Sequence, residues 1–274
     1  MRASRTGRTM RIVLLLLLAA YALFPLLWMV SVSLMAPGEA SRFPPPLLPA
    51  EPGLGAYRTL FATTGIGRYF LNSLIVATLG TLLSLAFNTA AGYAFAKLRF
   101  KGRDRLFKLL LAALVIPAQV TMLPLFLMLK ELGLINSFAG VLVPLVTSIF
   151  GIFLVRQYAL SIPDELLEAA RVDGASEGRI FVQIVLPVLI PILITLALFS
   201  FLAAWNDFMW PLIVLTDQDL YTLPVALAAL SREHVQDNEM MMAGSVLTIL
   251  PVLILFLGLQ RYYLQGLLAG SVKG

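Results

Sequence analysis

The sequence predicts an all-α polytopic membrane protein with six transmembrane helices and both termini on the cytoplasmic side. Three observations carry this. Of the 274 residues, 59% are hydrophobic and only 13% are charged, whereas a soluble domain carries roughly 25% charged residues. Six segments suit a bilayer core, which takes about 20 apolar residues of helix: 12–34, 70–96, 106–129, 138–155, 182–205 and 243–260. The basic residues alternate between the connecting segments. With the N-terminus inside, Arg2, Arg5, Arg8 and Arg11, the run Lys97 to Lys108, Arg156, Arg171 and Arg179, and Arg261 and Lys273 share the cytoplasmic side. Arg42, Arg58, Arg68, Lys130 and Arg232 fall outside, as the positive-inside rule requires. Residues 1–274 read as a single transmembrane domain, with no soluble domain and no solenoid repeat.

The first span begins like a signal peptide, with a basic start before a leucine run. Its apolar stretch continues through YALFPLLWMVSVSL, past a signal core of about 7–15 residues, so it reads as a retained helix. Residues 35–69 contain FPPPLLPAEPG and predict an extended outer crossing without helix or sheet. The second span carries Gly80, Ser84, Asn88, Gly92 and Ala96 at four-residue spacing, a small-residue face that lets another helix approach closely. Asn88 on that face either contacts a polar solute or hydrogen-bonds a neighbouring helix. The other five spans contain proline: Pro25, Pro117 and Pro124, Pro144, Pro187 and Pro191, and Pro251. Each removes a backbone donor and favours a kink. The outer segment 206–240 is acidic, with Asp207, Asp217, Asp219, Glu233, Asp237 and Glu239.

Several function classes are excluded. Apart from Lys108 in the first turn of 106–129, no span contains Asp, Glu, Lys, Arg or His, the groups that carry proton or ion coupling inside a membrane. No phosphate-binding GxxxxGK[ST] loop is present, so uphill transport would draw its energy from a partner. There is no cysteine, hence no thiolate chemistry or disulfide. Ser73, Ser84 and Ser200 have no intramembrane base in the sequence, which argues against an enzyme. The net charge of +5 is spent on helix ends as topological anchors rather than on nucleic acid. His234 stands between Glu233 and Asp237 and reads as a solvated loop histidine, with no metal site.

The segment between the fourth and fifth spans reads SIPDELLEAARVDGAS. It predicts a short helix over about 161–174. Ser161 would be the N-cap, Pro163 would lie in the first turn, and Asp164 and Glu165 would face the positive helix end. Gly174 would stop the helix. Ala169 and Ala170, flanked by Glu165, Glu168, Arg171 and Asp173, make a surface suited to a protein groove. An anionic leaflet would repel it.

EAARVDGASEGRIFVQIVLP resembles the EAA loop of ABC-importer permeases: Glu168-Ala169-Ala170, then Gly174 four residues on, then Val185, Leu186 and Pro187. NSLIVATLGTLLS, GYAFAKLRFKGR, LGLINS, GIFLVRQY, AWNDFMWPLIVL and YTLPVAL are similar to the carbohydrate-uptake subgroup, and QGLLAGSVKG to the tail of its second, maltose-type subunit. The resemblance implies a bacterial or archaeal cytoplasmic-membrane subunit that pairs with a homologous permease and two ATPase subunits and receives solute from an external binding protein. The EAA loop would be the coupling helix docked on the ATPase, and ATP and Mg would be held by the ATPases, with no cofactor in this chain. The tail, which composition alone makes a frayed terminus, would contact the ATPases through Gly270, Ser271 and Lys273. Gly178 departs from the bulky residue common there. Asn88, Gln119, Trp205 and Asn206 are the polar and aromatic candidates for the solute pathway; a polyol or glycerol phosphate is the alternative solute class, and a stand-alone carrier or channel the alternative function.

Overall fold

The computed structural model describes residues 5–233 and 237–269. Among these, helix is the regular structure and no strand forms. The elements are α1 (Arg5–Ser33), α2 (Gly55–Thr63), α3 (Ile66–Lys97), α4 (Arg103–Ala112), α5 (Ala118–Glu131), α6 (Phe138–Leu142), α7 (Ile149–Ala159), α8 (Asp164–Val172), α9 (Glu177–Ile180), α10 (Leu186–Trp205), α11 (Met209–Val214), α12 (Leu223–Glu233) and α13 (Asn238–Ala269). A π-helical turn at Phe181–Val185 joins α9 to α10. Four helical stretches are long and apolar enough to cross a membrane: Thr9–Ser33, Ile66–Lys97, Glu177–Trp205 and Asn238–Gln260. Two bent pairs raise the number to six if each is one span.

The bent pairs fall on the expected spans 106–129 and 138–155, both of which carry proline. The first turns through 105° between Arg103–Val115 and Ala118–Glu131. Ile116 is extended (φ −78°, ψ 118°) because the ring of Pro117 disfavours the helical region for the residue before it. The second bends by 42° between Phe138–Leu145 and Ile149–Ala159. There Ser148 is extended, and its hydroxyl accepts the Gly151 N–H to start α7. The segment 35–69 differs from the expectation of an extended crossing, since it holds α2 and the start of α3; 206–240 holds α11, α12 and the start of α13.

The chain divides into two compact units. In the first, residues 1–68 with 226–250, the proline-rich segment folds around a carboxylate. Glu39 accepts the N–H groups of Ala50 (2.8 Å) and Ala36 (3.0 Å), and these bonds hold its carboxyl below the usual range. The buried Glu239 accepts the N–H of Ala40 at 2.9 Å.

The second unit, residues 69–225 with 251–274, is organised by the ladder on α3. Gly80 faces Leu142 and Leu145, Asn88 meets Ser148, and Ala96 packs with Val155 and Ala159. The small-residue face is thus the seam between α3 and the α6/α7 pair. At Gly92 a Cβ would stand 2.6 Å from Val155 Cβ and 3.0 Å from the Arg156 nitrogen. Neither atom belongs to a flexible side-chain end. Gly92→Ala is therefore expected to overpack the seam and to cost about 1–3 kcal/mol of stability. Thermal unfolding in detergent reads this, and an unchanged midpoint would contradict it.

Candidate functional site

The loop between α7 and α10 is built locally first. α8 is shorter than expected. Pro163, not Ser161, precedes its first turn (φ −60°, ψ 134°), without a side-chain cap. The Ser161 hydroxyl instead donates to Tyr158 O at 2.7 Å, closing the end of α7. The other end is as expected. Gly174 is left-handed (φ +82°), its N–H donates to Arg171 O, and the N–H of Ala175 donates to Ala170 O, both at 3.0 Å. These two bonds form the Schellman ending of a helix. The EAA sequence therefore places Ala170 so that its carbonyl receives the return of the chain.

Two clamps hold α8 and the start of α9 to the end of α3. Lys97, whose side chain is only 6% exposed, donates from Nζ to Ile162 O at 2.5 Å and to Asp164 Oδ1 at 2.6 Å. The hydrogen bond from Lys97, followed by its charge, holds the Asp164 carboxyl below the usual range. At the other end Arg171 Nε donates to Glu177 Oε1 at 2.6 Å, and the Tyr93 hydroxyl donates to Glu177 Oε2 at 3.1 Å. Tyr93 and Lys97 are one helical turn apart on the same face of α3. Between the clamps the buried Leu167 packs in a core with Tyr93, Val155, Ala159, Ile162 and Ile180. None of Tyr93, Lys97 and Glu177 was expected as part of this site. The legible signal was the four-residue spacing of Tyr93 and Lys97 at a basic helix end.

These contacts sort the expected site residues. Glu165, Glu168, Ala169, Asp173 and Gly174 are exposed, while Ala170 is half-buried against the core. Arg171 turns back to Glu177. Leu166 (45% exposed) and Val172 (87%) flank Ala169 on the outward face. That face is apolar along i, i+3, i+6 with carboxylates beside it. Gly178 is exposed, with open space where a side chain would stand. Gly270, Ser271 and Lys273, and also His234, lie outside the described residues.

The solute candidates do not converge. Asn88 is 0% exposed. Its Nδ2 donates to Ser84 Oγ at 2.7 Å and its Oδ1 accepts the Ser148 N–H at 2.9 Å, so it serves as the helix-to-helix hydrogen bond. Trp205 is buried, edge-on to Phe70 and stacked on Phe201. Gln119 and Asn206 are exposed, Gln119 in the first turn after the 105° bend. Asn206 donates to Leu202 O at 2.8 Å. A cavity of about 330 Å³ opens along the seam, with Gly80, Ser84, Ser148, Phe150, Phe199 and Ser200 on its wall.

The sequence signature of binding-protein-dependent transport system inner membrane components covers residues 88–268, from the seam through α8 to the end of α13. The arabinooligosaccharides transport system permease protein AraQ of Halalkalibacterium halodurans is 40% identical over 94% of this chain and 93% of its own length. The osmoprotective compounds uptake permease protein GgtD of Synechocystis is 39% identical over 80% of this chain and 75% of its own. A chain in the crystal structure of a bacterial ABC transporter that imports the acidic polysaccharide alginate superposes with a TM-score of 0.84 and 26% identity. It covers 95% of this chain and 99% of that one. The signature, the full-length relatives and the shared fold agree, and the chain belongs to the family of binding-protein-dependent transport system inner membrane components.

Proposed function

We propose that this chain is one of two transmembrane subunits of an ABC importer for a sugar or oligosaccharide and that α8 is its coupling helix. One observation carries this reading. α8 is clamped at its start to α3 and at its end to Glu177 of α9, which Tyr93 of α3 also holds, yet it leaves the Leu166–Ala169–Val172 face and the carboxylates of Glu165 and Glu168 exposed. A rigidly mounted, apolar face with a charged rim suits a groove on another protein. In this reading the six spans run with both termini in the cytoplasm of a bacterium or archaeon. ATPase subunits bind ATP and Mg, and a solute-binding protein delivers the cargo from outside. Closure of the ATPases moves α8, and the α7 and α10 helices joined to it move as well, switching the cavity between inward and outward access. Gly270, Ser271 and Lys273 reach the ATPases.

The solute class rests on AraQ and on the alginate importer, whose cargoes are oligosaccharides and a polysaccharide. The similarity to GgtD favours a second reading, a small osmoprotective compound. Reconstitution with the partner permease, the ATPases and the binding protein decides between them. Uptake of a labelled oligosaccharide should require every component and ATP. Impermeant labelling should reach Asp219Cys from outside and Gly102Cys only from inside, and deletion of 269–274 should lower stimulated ATP hydrolysis. Transport by the chain alone would overturn the reading, and capture of an osmolyte but no sugar by the binding protein would establish the second.

A further inference from the structure

On the reading that α8 is the coupling helix, we infer that α3 transmits its displacement, with Tyr93 and Lys97 as the positioning residues that make the connection. The segments joined to α8 by the chain itself are compliant. Toward α10 lies the π-helical turn Phe181–Val185, followed by Pro187 and Pro191. Toward α6 lies the 42° bend before Ile149. Each is a place where the backbone ladder is interrupted, and such places absorb motion. α3 has no proline over its 32 residues, so its ladder is continuous. It grips the start of α8 directly, through Lys97 to Asp164, and the end of α8 by way of α9, where Tyr93 donates to Glu177 and Glu177 accepts from Arg171. Further along, the same helix holds the bend itself and the part of α10 that lies beyond the π turn and its prolines. Asn88 Oδ1 accepts the Ser148 N–H at the bend, and Ser84 Oγ meets Ser200 Oγ on α10 at 2.9 Å. A push on α8 therefore reaches the bend and α10 through a stiff rod, while the covalent route would dissipate it in the π turn.

The test compares association with coupling in the reconstituted complex. Tyr93→Phe keeps the ring beside Phe181, 5.2 Å away, and Lys97→Met keeps the apolar stem. The double variant should bind the ATPases with wild-type stoichiometry. Solute delivered per ATP should fall roughly three- to tenfold. A second variant, Ala90→Gly with Ala91→Gly, leaves both clamps in place and loosens the rod between Asn88 and Tyr93. The same loss is expected, and it would not follow if the clamps only held α8 in position. An unchanged ratio of solute to ATP in either variant overturns the inference, as does a loss of ATPase binding that accounts for the whole defect of the double variant. Glu168→Lys in the same preparation separates the two levels: if it leaves ATPase binding and uptake normal, the coupling-helix reading itself fails.

Discussion

Glu168→Lys is expected to abolish uptake while the protein still reaches the membrane in normal amount. Glu168 is exposed on α8, so its replacement leaves the buried core around Leu167 untouched. A surface substitution of this kind changes stability little. At a docked interface the effect is large, because a reversed charge meets groups arranged to receive a carboxylate. Juxtaposed like charges weaken association by on the order of a hundredfold. Co-purification of the ATPase subunits with the variant and uptake by the reconstituted complex measure it. Wild-type levels of both would show that the Glu168 face is not the docking face.

Gly174→Val should produce a loss of the same kind from a different cause. Gly174 sits at φ +82°, a region that costs a residue with a Cβ about 1–2 kcal/mol and a β-branched one more. No neighbouring atom crowds the position, so the penalty is one of backbone conformation alone. The Schellman bonds to Arg171 O and Ala170 O would be strained, and α8 would fray where Arg171 reaches Glu177. If the penalty is drawn entirely from docking, association falls roughly 5- to 30-fold. Gly174→Asn is the control, since asparagine tolerates this conformation, and it should retain most of the uptake. Equal activity for the Val and Asn variants would contradict the account.

The parts of the fold visible in the sequence are those with a short-range cause. The ladder Gly80–Ser84–Asn88–Gly92–Ala96 was legible because side-chain size at four-residue spacing defines a helix face, and that face is the seam with α6 and α7. The ending of α8 was legible because glycine is the residue that enters the left-handed region without strain. Ser161 was misassigned for an equally local reason: a serine near a helix start has two turns to serve. The choice fell to the end of α7, because Lys97 occupies the Ile162 carbonyl and Asp164, fixing where α8 begins.

By itself the sequence determined the membrane class, the all-helical fold, the position of the EAA helix and its glycine stop. All of these follow from composition, periodicity and single-residue conformational preference. Only the tertiary structure decided that Pro117 turns the chain by 105° while Pro191 lies within the helix α10. A missing N–H permits a bend, but the packing around it sets the angle. It also decided that Tyr93 joins Glu177, 84 residues away, and that Asn88 is spent on the Ser148 N–H. Such partners are chosen by which groups packing brings beside one another; for the buried Tyr93 and Asn88 an unpaired polar group would be costly. Nothing in the local sequence of either residue encodes that meeting.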